Sequence, residues 1–173
     1  MKICWFNEGR LGVIINGTLH DVSAALIVLP SGGSYPTYTG DLLIAHLDAI
    51  RARILAVLPA APTVELDSVR LNSPVAQPGK IIGVPVNYQK HVEEAAADAA
   101  TFTSRYTGGI LEQGLFLKAS SSLIGCSDAV RITMPERLTH HEIELAVVIG
   151  RKPATSRRRM PCRVSLAIRS PWT

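Results

Sequence analysis

Glu142 and Glu144 stand two positions apart at the head of the apolar run Leu145-Ala-Val-Val-Ile149. In a strand, residues two apart point to one face, so these carboxylates converge while Leu145 through Ile149 read as buried. Two like charges beside a buried run are costly unless a cation neutralises them. Oxygen ligands with no cysteine nearby suit Mg²⁺, Mn²⁺ or Ca²⁺ better than zinc. Two carboxylates fall short of a full site, and a solvated strand edge with alternating Glu has the same spacing.

A second constellation is Asn87-Tyr-Gln-Lys-His-Val-Glu-Glu94, in which His91 and Glu94 stand at i and i+3 of a helix start. A carboxylate holding one imidazole nitrogen fixes the tautomer and makes the other nitrogen more basic, as a general base acting on water requires. Solvated charges at an exposed helix start are the plain alternative. Third, Lys118 is the one charge in Leu115–Ala119 and precedes Ser120-Ser121-Ser122. It can contact an anionic substrate or reach out to solvent. His140 and His141 are adjacent and point opposite ways on a strand, so at most one can join the glutamates. The chain has no glycine-rich phosphate loop and no Gly-x-Ser-x-Gly elbow.

The elements that must position these residues follow from pattern. Leu11–Ile15 and Thr18–Val22 flank Asn16-Gly17, the strongest two-residue hairpin signal. Ser31–Gly40 is a loop by composition. Leu43, Leu47, Ile50, Ile54 and Leu58 carry helical spacing, with Thr39 or Asp41 as cap and Pro59 and Pro62 as stop. Short strand-like runs and turns fill 63–82, and a unit boundary is placed near Leu71. A strand over Lys80–Val84 leads to a helix over Gln89–Ala100. A loop over 101–114, a strand over Leu115–Ala119, a turn at Ser120–Ser122 and a strand over His141–Ile149 complete the pattern.

Composition bounds the partners. The chain has 173 residues, 47% hydrophobic and 18% charged, which excludes a wholly disordered chain. No apolar run reaches the roughly 18 residues of a membrane helix. Met1-Lys-Ile-Cys4 leads into a charged turn with no signal-peptide pattern, and Cys4, Cys126 and Cys162 are too widely spaced for a disulfide framework. The expectation is a reduced, cytoplasmic protein. All 14 acidic residues lie within 1–150 beside 11 basic ones, a net of −3, whereas 151–173 holds seven basic residues and no acid. The basic character therefore belongs to the last 23 residues.

The order of three segments is specific. Gly83-Val-Pro-Val-Asn-Tyr-Gln-Lys-His-Val-Glu-Glu94, Leu115-Phe-Leu-Lys-Ala-Ser-Ser-Ser-Leu-Ile-Gly125 and His141-Glu-Ile-Glu-Leu-Ala-Val-Val-Ile-Gly150 resemble the fumarylacetoacetate hydrolase family. The start Met1-Lys-Ile-Cys4 and the Asp21-Val-Ser23 helix start are similar to the lead domain of its bacterial members. Ala119 and Cys126 stand where the family usually has proline. The resemblance covers residues 1–152.

The resemblance implies an α+β chain: a small α/β unit over 1–70, then an incomplete, β-rich catalytic domain over 71–152 whose cut edge exposes apolar surface. It implies hydrolysis of a C–C bond in acylpyruvate-like 2-oxo acids or 1,3-dicarbonyls, or a related decarboxylation, isomerisation or hydration through an enolate. Glu142 and Glu144 become two of three carboxylate ligands to Mg²⁺ or Mn²⁺, His91 and Glu94 the pair that activates water, and Lys118 a contact to substrate oxygens. A homodimer is the family's common form, with no membrane or nucleic-acid partner. The third ligand is an Asp in a Gly-Tyr-x-x-x-x-Asp stretch beyond Gly150, yet no Asp or Glu follows Glu144.

Residues 153–173 read as a disordered, basic tail that is out of frame. Shifting the frame so that each codon's third base joins the next two forces Ala from Met160-Pro161 and Asp from Trp172-Thr173. The junctions between Leu166 and Trp172 can spell Gly-Tyr-Thr-Leu-Ala-Leu ahead of that Asp, at the family's spacing. The charge break falls at the same place, predicting a frameshift near Lys152–Pro153. The alternative is a nonenzymatic remnant, or a protein whose basic arm binds nucleic acid or another anion.

Overall fold

The computed structural model describes residues 1–30, 40–85, 88–90, 93, 97, 110–139, 144–150 and 165–168. Helices and strands are mixed, and the chain divides into two compact units. One comprises 1–77 with 124–173 and the other comprises 78–123. The first unit therefore takes in segments on both sides of the second.

The first unit is built on a four-stranded antiparallel sheet. β1 (Lys2–Phe6), β2 (Arg10–Ile15), β3 (Thr18–Asp21) and β4 (Thr63–Val64) are hydrogen-bonded in sequence order. Asn16 (φ 50°) and Gly17 (φ 85°) join β2 to β3 as the hairpin spacing predicts, since a primed turn needs two left-handed residues. Leu11 and Val13 face one side of β2 and pack with Val22, Ala25, Leu43, Ile50 and Ile54, all buried. Ala25 comes from a 3-10 helix, Ser23–Val28.

That 3-10 helix is tied down by a buried carboxylate. Asp21 Oδ1 accepts from the Ser23 amide at 3.0 Å and the Ser23 hydroxyl at 2.6 Å, while Arg10 pairs with Oδ2. Ser23 Oγ in turn accepts from the Leu11 amide at 3.0 Å, closing the helix start onto β2.

The amphipathic stripe forms two helices rather than one. α1 (Leu42–Ala45) and α2 (Leu47–Val57) are separated by His46 at φ −111°, ψ 26°. Of the two expected caps, Asp41 serves, accepting from the Ile44 amide at 3.2 Å. Its second oxygen accepts from the Ala76 amide at 2.6 Å and the Gln77 amide at 3.3 Å. A 3-10 turn at Leu58–Ala60 ends α2 at Pro59, where a proline lacks the needed N–H.

Residues on both sides of the expected boundary near Leu71 are tied to β1 and the turn after it. Phe6 pairs with Leu71 as an isolated antiparallel bridge, the Asn7 amide donates to Arg70 O at 2.8 Å, and the Asn72 amide donates to Trp5 O at 2.9 Å. Residues 70–72 thus cover the open edge of β1 and belong to the first unit.

The second unit contains β5 (Ile81–Gly83) and β6 (Phe116–Lys118), paired antiparallel, with a helical turn at Ile110–Gln113 and a 3-10 turn at Ser120–Ser122. Both strands lie inside the spans read from sequence. The expected loop over Ser31–Gly40 lies almost wholly outside the described residues, as does 101–109.

β7 (Ala146–Ile149) is shorter than the strand expected over His141–Ile149, and Glu144 and Leu145 precede it without regular structure. The run expected to be buried is open, with Leu145 at 62%, Val147 at 53% and Ile149 at 59% exposure. Its partner is β8 (Ser165–Ile168), in register Ala146↔Ile168 through Ile149↔Ser165. A tail expected to lack regular structure therefore supplies a strand at 165–168, because the unpaired edge of β7 accepts backbone hydrogen bonds from any extended chain. Among the described residues no helix is long and apolar enough to cross a membrane.

Ile50 and Leu55 lie on opposite faces of α2, one fully buried and the other 58% exposed. Ile50→Ala is expected to cost about 2–5 kcal/mol through lost burial and the cavity left behind. Leu55→Ala should stay within about 0.5 kcal/mol. Urea unfolding followed by circular dichroism checks the contrast.

Candidate functional site

Lys118 ends β6 opposite Ile81, in a register that also pairs Leu117 with Ile82 and Phe116 with Gly83. Its side chain is exposed and its Nζ lies 5.7 Å from the centroid of the Phe116 ring, two residues back on the same strand. Side chains two apart share a face, so the ammonium and the ring meet without distorting the strand. The other candidate side chain in view is Glu144, exposed and placed two residues before β7. Lys118 belongs to the unit 78–123 and Glu144 to the other.

His91, Glu94 and Glu142 lie outside the described residues, and so do His140 and His141. Around the first pair, Gln89, Lys90, Glu93 and Ala97 are helical, at positions within the helix expected over Gln89–Ala100. Gln89 Nε2 donates to Glu93 Oε1 at 3.1 Å, an i,i+4 contact that engages Glu93 along its own helix. Among the described residues no three His, Cys, Asp or Glu side chains cluster closely enough to hold a metal ion.

Sequence reasoning missed a polar clamp in the first unit. Arg70 Nε donates to Asp128 Oδ1 at 2.8 Å, and Asp128 Oδ2 accepts from the Gly125 amide at 2.8 Å. Ser127 Oγ accepts from the Leu71 amide at 3.0 Å. The Gly125 N–H first and the Arg70 guanidinium second hold the Asp128 carboxyl below the usual carboxylate range. Gly125-Cys-Ser-Asp128 carries a turn signal in its composition, but its partner lies 58 residues upstream and no local pattern names it.

Comparison with known proteins gives the chain its relatives. Residues 80–162 match the family described as "Fumarylacetoacetate (FAA) hydrolase C-terminal". A maleylpyruvate hydrolase of Aquipseudomonas alcaligenes is 50% identical over 153 residues, covering 87% of this chain and 53% of that protein. The crystal structure of maleylpyruvate hydrolase from Sphingobium sp. SYK-6, in complex with manganese (II) ion and pyruvate, superposes with a TM-score of 0.62 at 34% identity. That superposition covers 87% of this chain and 49% of the other. The chain spans about half the length of these relatives.

Of the two cysteines in view, Cys126 is exposed and Cys4 is half-buried on β1. Burial, reinforced by the neighbouring Cys126, pushes the Cys4 thiol up to about 11. At pH 8 only about one Cys4 in a thousand is then thiolate, the form that reacts. Iodoacetamide should modify Cys126 well before Cys4, with the Cys4 rate still rising as pH passes 9 and 10. A mass-spectrometric time course checks this, and equal rates at pH 8 would show that Cys4 is not held protonated.

Proposed function

This chain belongs to the fumarylacetoacetate hydrolase family, and on that premise we propose that it carries the lead unit and the first part of a β-rich catalytic domain of a divalent-metal-dependent hydrolase. The reaction is hydrolysis of a C–C bond in acylpyruvate-like 2-oxo acids or related 1,3-dicarbonyls. The observation that carries this reading is the 50% identity over 153 residues with a maleylpyruvate hydrolase. In a chain of 173 residues, a stretch that long takes in all of His91, Glu94, Lys118, Glu142 and Glu144.

The donor set suits a hard dication. Glu144 presents an exposed carboxylate just ahead of β7, and Glu142, two positions earlier in the sequence, would add a second oxygen donor with no sulfur ligand. Mg²⁺ or Mn²⁺ held there supplies Lewis acidity toward the carbonyl oxygens of the substrate. His91 removes a proton from water, and Glu94 accepts a hydrogen bond from the other ring nitrogen, which keeps the imidazole in the basic tautomer. The water oxygen adds to the acyl carbonyl and the adjacent C–C bond breaks. The carbon that leaves with the electron pair regains the proton that His91 carries, giving a carboxylic acid and a 2-oxo acid. Lys118 donates from its ammonium to substrate oxygens as negative charge gathers on them. The same reading makes the assembled protein a cytoplasmic homodimer that meets a small 2-oxo acid or 1,3-dicarbonyl.

Residues 153–173 are read as out of frame, on the charge break and on the Ala and Asp that the shifted codons force. The family match running to residue 162 weighs against a break as early as 152. The coding DNA is expected to show a single-base change, within codons 152–162, that opens a longer family-like frame. If no such change does so, the basic tail is genuine.

No Asp or Glu follows Glu144, so the 173-residue chain offers one carboxylate fewer than the family's set. Mg²⁺ dehydrates reluctantly, and losing a carboxylate weakens such a site severely. Negligible turnover is expected from this chain, and metal-dependent turnover from a frame-restored version. Loss of diketo-acid absorbance with added Mn²⁺ measures both. Inactivity of both across acylpyruvates and oxaloacetate would remove the enzyme reading and leave a nonenzymatic remnant or an anion-binding protein.

A further inference from the structure

Phe116 faces Gly83 across the β5–β6 pair, and its ring occupies the space where a side chain would stand. A Cβ built on Gly83 would collide with Phe116 Cζ and lie 2.6 Å from both Cε atoms. Only glycine admits a ring so close, and the contact fixes where the ring lies, as aromatic residues do when they cover a cross-strand glycine. The ammonium of Lys118 stands over this same ring, 5.7 Å from its centroid, within the range of a cation–π attraction.

We infer that Phe116 is a positioning residue for Lys118: seated on Gly83, its ring holds the ammonium on one face of β6 and at a set distance from the strand. This rests on the substrate role proposed for Lys118. A long lysine side chain otherwise samples many rotamers, and presenting a cation to an oxo-acid oxygen requires most of them to be given up. A ring that already restrains the ammonium lowers that entropic loss. Gly83 also begins the segment that runs to His91, so one ring links the strand leading to the base with the strand bearing the cation.

The test is nuclear magnetic resonance of the 173-residue chain with isotope-labelled lysine, the Lys118 signal being assigned by its loss in Lys118→Arg. An upfield ring-current shift of the Lys118 Cε protons is expected. It should vanish in Phe116→Leu and survive in Phe116→Tyr. Gly83→Ala should also abolish it, because the added methyl displaces a ring that is still present. Titration with sodium pyruvate should move the Lys118 signal, with a midpoint about two- to five-fold higher in Phe116→Leu and near normal in Phe116→Tyr. A Lys118 signal with no ring-current shift, or one indifferent to Phe116→Leu, overturns the inference. A normal ring-current pattern with no response to pyruvate upholds the pairing and shows that Lys118 of this chain alone does not engage pyruvate.

Discussion

The first unit depends on covering one apolar sheet face, and the seam between β2 and α2 does it. Leu11 and Val13 reach from the sheet and Ile50 and Ile54 from the helix, all four fully buried. Each such side chain contributes roughly 1.5–3 kcal/mol when withdrawn from water, so the seam outweighs any single polar contact near it. The polar groups settle direction. Asp21 fixes the start of the Ser23–Val28 helix, and Asp41 caps α1 while holding residues 76 and 77. One carboxylate thereby sets both where the helical layer begins and where the first unit gives way to the next segment.

The candidate site residues in view sit in a different physical setting. Lys118 and Glu144 are exposed, on or beside short strands whose apolar neighbours also face water, including Ile82, Leu117, Val147 and Ile149. A cation and a carboxylate in water are strongly screened. Directed chemistry needs such groups drawn into a site that excludes solvent, where charge acts at lower dielectric. Lys118 and Glu144 therefore stand among side chains with little apolar cover of their own.

Legibility from sequence followed the range of the interaction. The β2–β3 hairpin was readable because Asn16-Gly17 and the flanking strands are contiguous, and the Asp41 cap because it sits immediately before its helix. The break at His46 was not, since the apolar stripe runs through it without a proline or glycine to mark it. The ties of residues 70–72 were hidden for a related reason: their partners are Trp5, Phe6 and Asn7, far back in the chain. At the site, the spacing of Glu142 and Glu144 and of His91 and Glu94 gave chemistry only through residue type. The seat of Phe116 on Gly83 joins strands more than thirty positions apart, and it became visible only with the register of β5 on β6.

The closure of β1 by residues 70–72 also has a meaning in time. The Arg70 amide reaches Asn7 Oδ1 across 63 residues, and Arg70 meets Asp128 across another 58. Hairpins form within microseconds, whereas contacts this distant wait for the chain between them to exist. During synthesis at about 5–20 residues per second, Asp128 follows Asn72 by roughly 3–11 s. For those seconds the lead sheet has its edge strand but not the clamp behind it. The segment between, which includes Gly83, Phe116 and Lys118, must emerge and begin to fold before the unit that precedes it is finished. Cutting the gene after codon 70 would thus remove the bridge at Leu71 that closes β1, because the first unit takes residues from chain made both before and after the second.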